Sequence, residues 1–282
     1  MVAIARKRAD IVRVLTTAVM FVLSIVMLLP LVWMVSASCK VEQDVFKYPI
    51  EWIPTHWNAA ENYRTVVLEN QFFRNYVNSF IQTGGVVVLS LLLGSMCAYA
   101  FSKIKFKGSN KLFLGFLALM MIPPQLTLVS RFIIVQKIHL YDTLLVLILM
   151  ESFSVYGVFL LRQFMITIPD SICESARIDG AGHFVIYSRI ILPMLKPALA
   201  TLGILKTVWT WNDYQGPMVF LSSSEKFTVQ LAVQQFAQAD GMTPVYSLVM
   251  TGAVIATVPL IIIFIIFQSK VIDGIAVGAV KG

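Results

Sequence analysis

Charged residues are scarce in this 282-residue chain. Asp, Glu, Lys and Arg make up 13% of it, against roughly 25% in an ordinary soluble domain. Cysteine is scarce as well: Cys39, Cys97 and Cys173 are odd in number and far apart, which excludes a disulfide framework or a cysteine metal cluster. His56, His139 and His183 are isolated, and no H-E-x-x-H occurs, so no zinc-hydrolase site is expected. There is no G-x-x-x-x-G-K-[ST] phosphate loop, so the chain is not expected to bind ATP itself. G-x-S-x-G is missing too. No catalytic residue and no metal-ligand set emerges from the sequence.

What fills the chain instead is apolar sequence, 58% hydrophobic residues in long runs. A hydrocarbon-crossing helix needs about 20 mostly apolar residues. Six stretches qualify, at roughly 14–36, 77–101, 112–135, 140–164, 195–221 and 245–268. The expected fold class is all-α, a polytopic membrane protein with six transmembrane helices. Arg6-Lys7-Arg8 before an apolar run resembles the start of a signal peptide. The run from Val14 to Val35 is too long for one and no small-x-small site closes it, so it reads as the first span.

The net charge of +7 would suggest an acidic partner such as nucleic acid in a soluble protein. Here its distribution argues for membrane orientation. Four Lys/Arg precede the first span, and Lys103, Lys105, Lys107 and Lys111 follow the second with no acid among them. Segment 162–196 carries Arg162, Arg177, Arg189 and Lys196, whereas 37–76 has five acids against four bases. Positive charge thus favours alternate loops. The positive-inside rule then puts both termini and the 162–196 loop in the cytoplasm and 37–76 outside. Pro30, Pro123-Pro124 and Pro259 fall inside spans, where they are expected to kink helices; Pro123-Pro124 is also a candidate hinge.

One polar element interrupts the apolar pattern. Ile168-Pro169-Asp170-Ser171 ends the fourth run, and Ser171-x-x-Glu174 has capping-box spacing. A short helix is expected from there to Asp179, closed by Gly180 in the left-handed conformation. A second helix from about His183 meets Pro193 and Pro197. Two short helices at an angle are therefore expected on the membrane surface, with Glu174 at least a capping residue.

Charges inside spans single out Glu151 and Lys206, candidate partners in the fourth and fifth spans. An isolated acid at that depth costs about 2.5–3.5 kcal/mol on insertion scales, so Glu151 should face protein or water. Trp211-Asn212-Asp213-Tyr214 sets flat aromatics beside short polar groups. That chemistry suits sugars, and it equally suits an interface anchor. The fifth loop, about Ser222 to Pro244, includes the polar stretch from Gln234 to Gly241.

Glu174-Ser175-Ala176, Gly180 and Ile190-Ile191-Leu192-Pro193 resemble the EAA loop of ATP-binding-cassette importer permeases, with Ser175 the one departure. Ile178-Asp179-Gly180-Ala181 is similar to the I-D-G-A of the carbohydrate-uptake branch. Glu42, Pro49, Trp52-Ile53-Pro54, Asn62-Tyr63 and Asn78-Ser79 look like that branch's external segment, Trp211-Asn212-Asp213-Tyr214 like its W-N-[DE]-[FY] signature, and Gly278-Ala279-Val280-Lys281-Gly282 like its ending. The resemblance, to a carbohydrate-importer permease similar to the maltose-type G subunit, covers nearly the whole chain. It implies a type I importer permease fold: a single permease domain over 1–282, with external segment 37–76, cytoplasmic coupling loop 165–194 and cytoplasmic tail 269–282. It implies a bacterial cytoplasmic-membrane subunit that carries a mono- or oligosaccharide. Expected partners are a second, homologous permease as heterodimer, two cytoplasmic ATPase subunits that bind ATP and Mg, and an extracytoplasmic solute-binding protein that the fifth loop would face. The bilayer is the other partner, and nucleic acid is not one. Glu174, Ser175, Ala176, Asp179, Gly180 and Ala181 would couple to the ATPase. The substrate path would include Glu151, Lys206, Trp211, Asn212, Asp213 and Tyr214. Alternatives are a permease for a polyol or glycerol phosphate, or an ion-coupled secondary transporter using Glu151.

Overall fold

The structure, a computed structural model, describes residues 2–69, 71–237 and 244–279. Gln238-Ala239-Asp240-Gly241 of the fifth loop and the Val280-Lys281-Gly282 ending lie outside the described residues. The helices in order are α1 (Val2–Ser38), α2 (Ala59–Arg64), α3 (Phe72–Lys103), α4 (Ser109–Ala118), α5 (Leu128–Lys137), α6 (Leu144–Ser152), α7 (Val155–Ile166) and α8 (Asp170–Ile178). Then come α9 (His183–Val185), α10 (Leu192–Met194), α11 (Lys196–Trp211), α12 (Gln215–Phe220), α13 (Val229–Ala237) and α14 (Tyr246–Ala279). A π-helical turn, Ile186–Ile191, joins α9 to α10 in one helical segment. No strand occurs among the described residues, only an isolated bridge between Lys40 and Trp57.

Three helical stretches, Val12–Ser38, Phe72–Lys103 and Tyr246–Gln268, are long and apolar enough to cross a membrane unbroken. Of the other three expected spans, two are bent pairs with a local cause at the break, and the third is one arm of a bent pair. The 112–135 span bends by 92° between Ser109–Met121 and Pro124–Lys137, because Pro123-Pro124 cannot donate to the helix ladder. The 140–164 span bends by 42° between Leu144–Ser152 and Val155–Ile166. There the Ser154 side chain accepts from the Gly157 amide and starts α7 afresh. The 195–221 span is the arm Lys196–Trp211, turned 76° from His183–Met194. It stops at Trp211, and Gln215–Phe220 is a separate short helix. Pro30 and Pro259, by contrast, sit inside continuous helices.

The chain divides into two compact units, one of residues 1–71 and 233–257, the other of 72–232 and 258–282. In the first, polar groups organise a segment with little regular structure. Lys40 is fully buried, and its Nζ donates to the Glu51 carbonyl at 2.5 Å. Asn62 Nδ2 donates to the carbonyls of Ser38 and Lys40. Asp44 accepts from His56 at 2.8 Å, a bond that, ahead of the nearby lysines, holds its carboxyl below the usual carboxylate range. Glu42 caps α14 from a distance: its two oxygens accept the amides of Tyr246 and Ser247 at 2.9 and 2.7 Å. A carboxylate is favoured there because the first helical amides have no intrahelical acceptor.

The second unit is built on α3. Ala98 and Tyr99 pack with Val158, Leu161 and Met165 of α7, Ile186, Tyr187 and Ile191 of the π turn, and Ala198 and Leu202 of α11. Small residues let these helices approach, as is general for membrane bundles. A Cβ on Gly85 would meet Ile148 Cδ1 at 2.8 Å, and one on Gly157 would meet Leu202 at 3.2 Å. Ser90 Oγ donates to the Ser152 carbonyl at 2.5 Å, so α3 also satisfies the broken end of α6.

Candidate functional site

The polar element between α7 and α11 forms as two short helical pieces. Its closure at Gly180 follows the sequence expectation in detail. Gly180 has φ +82. Its amide donates to the Arg177 carbonyl at 3.0 Å, and the Ala181 amide reaches back to Ala176 at 2.9 Å. This pair of bonds is the Schellman arrangement, which uses the left-handed residue to satisfy orphan helix carbonyls.

The start of α8 differs from expectation. The helix begins at Asp170, the cap position is Pro169, and no side chain caps it. Ser171 therefore lies inside the first turn, and the Ser171–Glu174 capping box does not form. The reason is Lys103 at the end of α3. Its Nζ donates to the Ile168 carbonyl at 2.6 Å and to Asp170 Oδ1 at 2.7 Å. That anchors the chain one residue earlier than Ser171. The hydrogen bond from Lys103, then its charge, keeps the Asp170 carboxyl below its ordinary range.

Glu174, released from capping, is exposed, as are Ser175, Asp179 and Gly180; Ala176 is buried and Ala181 half-buried. Cys173 and Ala176 bury one face of α8. The other carries Ile178, 87% exposed, and beyond the turn Phe184 is 72% exposed. Both are large apolar side chains left uncovered at the tip of a polar element. The element is tied to α3 at four points. Beyond the Lys103 anchor, Arg177 Nη2 donates to the Lys103 carbonyl, Tyr187 and Ser95 hydroxyls share a bond of 2.8 Å, and Tyr99 O–H meets His183 Nδ1 at 3.3 Å. The π turn puts Ile186, Tyr187 and Ile191 on the buried side together.

The intramembrane residues fall into two groups. Glu151 and Lys206 come together as their types suggest: Lys206 Nζ donates to the Glu151 carbonyl at 2.9 Å and lies 3.9 Å from Oε2. Glu151 and Asp213 line one small cavity of about 70 Å³ with Arg131 and Gln215. Asp213 Oδ1 accepts from the Gly216 amide at 3.1 Å and so starts α12, while Oδ2 is buried with no hydrogen-bond partner among the described residues. Trp211 is elsewhere. It is 2% exposed and packs edge-on against Tyr76 and Phe80, with ring centroids 5.4 and 5.0 Å away. It is neither an interface anchor nor a lining residue of this cavity. Asn212 is exposed, bonded to the Val208 carbonyl, and Tyr214 is half-buried.

The expected fifth loop is not plain loop. It contains a 3-10 turn, Ser224–Lys226, and the helix α13. Asp142, which sequence reasoning passed over, organises its start. The Asp142 carboxylate accepts from the Ser222 and Ser223 amides, the Ser223 hydroxyl and Lys226 Nζ at 2.5–3.1 Å. The available signal was isolation: Asp142 is the first acid after Glu69.

Apolar helices, paired bends, buried intramembrane charge and a polar surface element define a polytopic membrane transport component. The chain belongs to the family of binding-protein-dependent transport system inner membrane components, whose model matches residues 90–276. Over 275 residues it is 30% identical to the arabinooligosaccharides transport system permease protein AraQ of Bacillus subtilis (strain 168), covering 97% of each chain. It is 31% identical over 261 residues to the melibiose/raffinose/stachyose import permease protein MelC of the same organism, covering 90% of this chain and 91% of that one. Among solved structures it resembles a bacterial ABC transporter involved in the import of the acidic polysaccharide alginate, with TM-score 0.81 and 22% identity. That likeness of fold spans 92% of this chain and 96% of the other. The all-α polytopic importer-permease fold expected from the sequence is thereby established.

Proposed function

We propose that this chain moves a carbohydrate, a mono- or oligosaccharide, across the bacterial cytoplasmic membrane as one of two related permease subunits. ATP hydrolysis takes place in separate cytoplasmic ATPase subunits, and an extracytoplasmic binding protein delivers the sugar. The observation that carries this reading is the α8–α10 element, with Glu174, Asp179, Ile178 and Phe184 turned outward and its base fixed to α3. On this reading the element lies in the cytoplasm with both termini, as the loop charges favour. Ile178 and Phe184 fill an apolar recess in the ATPase, Glu174 pairs with a basic group there, and Gly180 sets the angle of the docked piece.

Closing of the ATPase pair then moves α3 through Lys103, Tyr187 and His183 as a packed body with two arrangements. Inside the membrane, Glu151, Asp213, Arg131 and Gln215 exchange hydrogen bonds with sugar hydroxyls. The unpartnered Asp213 Oδ2 supports a role for that carboxylate in accepting them. The relatives named for arabinooligosaccharides and for melibiose, raffinose and stachyose support the substrate class.

Gly180→Trp is the direct test. Nothing lies within 4 Å of a Cβ built at Gly180, so the new side chain starts into open space. The left-handed backbone adds strain of only about 1–2 kcal/mol. The chain should still insert, while sugar uptake falls more than tenfold and the ATPase no longer co-purifies. Gly180→Asn, which tolerates positive φ, should keep most of both. Normal ATPase association in Gly180→Trp would refute the docking role. Uptake into vesicles that ran without ATP and collapsed with an uncoupler would refute the ATP-driven reading.

A further inference from the structure

Between the end of α3 and the start of α4 lies an open basin of about 700 Å³ with a strongly basic wall. Lys105, Lys107, Lys111 and Arg162 all line it, and no acidic residue does. The sequence supplies none nearby in the chain either, since no Asp or Glu occurs from 70 to 141. Lys103 is excluded from this count because its ammonium is spent on Ile168 and Asp170. The three lysines make no salt bridge among the described residues. Arg162 is prepositioned: its guanidinium lies 4.0 Å from the centroid of the buried Phe113 ring, and Nε donates to the Phe101 carbonyl at 3.2 Å. Its remaining N–H groups are left for a ligand, in the fork geometry that matches a phosphate.

The surroundings of the basin identify the kind of anion. α4 is one arm of a bent, span-forming pair, and beside the cations the basin is lined by the apolar Phe101, Ile104 and Phe106, the last of them exposed. A free inorganic anion has no use for an apolar flank. A phospholipid matches both parts, with its phosphate against the cations and its acyl chains along this apolar side. Basic pockets between membrane helices are a recognised setting for such head groups. We propose that this basin is a binding site for an anionic phospholipid, phosphatidylglycerol or cardiolipin, held by Lys105, Lys107, Lys111 and Arg162. The bound lipid bridges the loop to α7 and so fastens the end of α3 that carries the polar α8–α10 element.

The test uses the full-length chain purified in detergent, titrated with phosphatidylglycerol, cardiolipin, phosphatidylcholine or inorganic phosphate. Native mass spectrometry counts retained lipids, and the thermal midpoint reads their effect. Phosphatidylglycerol and cardiolipin should be retained and should raise the midpoint, with phosphatidylcholine and inorganic phosphate doing neither. Changing Lys105, Lys107 and Lys111 together to Gln should weaken anionic-lipid binding by at least about tenfold, given the attraction each surface cation exerts. The corresponding Arg triple should restore it, which separates lost charge from a misfolded loop. Lys137→Gln, an exposed cation elsewhere, should leave binding unchanged. Equal retention of phosphatidylcholine, an effect of inorganic phosphate equal to that of the lipids, or unaltered binding in the Gln triple would each overturn the assignment.

Discussion

The two ends of α3 are fastened by different chemistry. At its N-terminal end the ties are short and neutral. Asn78 Nδ2 donates to the carbonyls of Glu225 and Phe227 at 3.0 Å, Asn75 with its amide nitrogen inward reaches Phe227 and Ser224, and Ser79 Oγ accepts from the Val229 amide at 2.9 Å. At the extreme C-terminal end, beyond the hydroxyl contacts of Ser95 and Tyr99, the ties are long and charged, with Lys103 on Asp170 and Arg177 on the Lys103 carbonyl. Asparagine and serine have few rotors, so a bond they make in a buried setting fixes one geometry. Lysine and arginine keep hold through four or more rotors while their partners shift. The neutral end therefore suits a fixed joint. The ionic end suits a joint that stays connected while the element beyond it moves, and that element presents Ile178 and Phe184.

Three substitutions would break or sharpen this contrast. Asn78→Leu should have the largest effect on stability, because it removes two bonds at once, to the Glu225 and Phe227 carbonyls, at about 2–3 kcal/mol. The loss, read as a lower thermal midpoint, should be the same at low and high salt. Lys103→Met should be milder, about 1–2 kcal/mol, since methionine refills the space and only the Ile168 carbonyl is stranded; Asp170 is 55% exposed and remains hydrated. Its stronger signature should be in transport, as a drop in ATP-coupled uptake greater than the loss of folded protein. Asp170→Asn should be the smallest, below about 1 kcal/mol, and visible mainly in the pH dependence. The Asp170 carboxyl is depressed in the folded state, so its contribution is present above the unfolded value near 3.9 and is lost as pH falls through the folded one. The variant should therefore lose the part of the wild-type decline in stability below about pH 4 that this pair causes. An unchanged acid profile would mean that the pair does not fasten α8.

Much of this architecture was legible in the residues, and the exceptions have physical reasons. Gly180 was readable as a helix closure because the left-handed conformation selects for glycine. Glu151 and Lys206 were readable as partners because unpaired charge is intolerable in hydrocarbon. The Ser171 capping box was misread because capping rules are local, whereas the start of α8 is decided by Lys103, some 67 residues away. Hydropathy found the apolar runs but not the bend at Phe153-Ser154, since a broken span is as apolar as a straight one, whereas Pro193 and Pro197 marked the break at Leu195. Trp211 illustrates the same limit: its type suits an interface, a sugar or a core, and only its neighbours Tyr76 and Phe80 decide for the core.

The Glu42 carboxylate accepts two amides that lie 204 and 205 residues further along the chain. At roughly 5–20 residues per second, synthesis takes on the order of 10–40 s to supply them after Glu42 has been made. Throughout that interval the segment around Glu42 lacks the helix it is shaped to cap. A helix made more than 200 residues later thus completes the segment around Glu42, and a chain that stops before Tyr246 leaves that earlier segment unfinished.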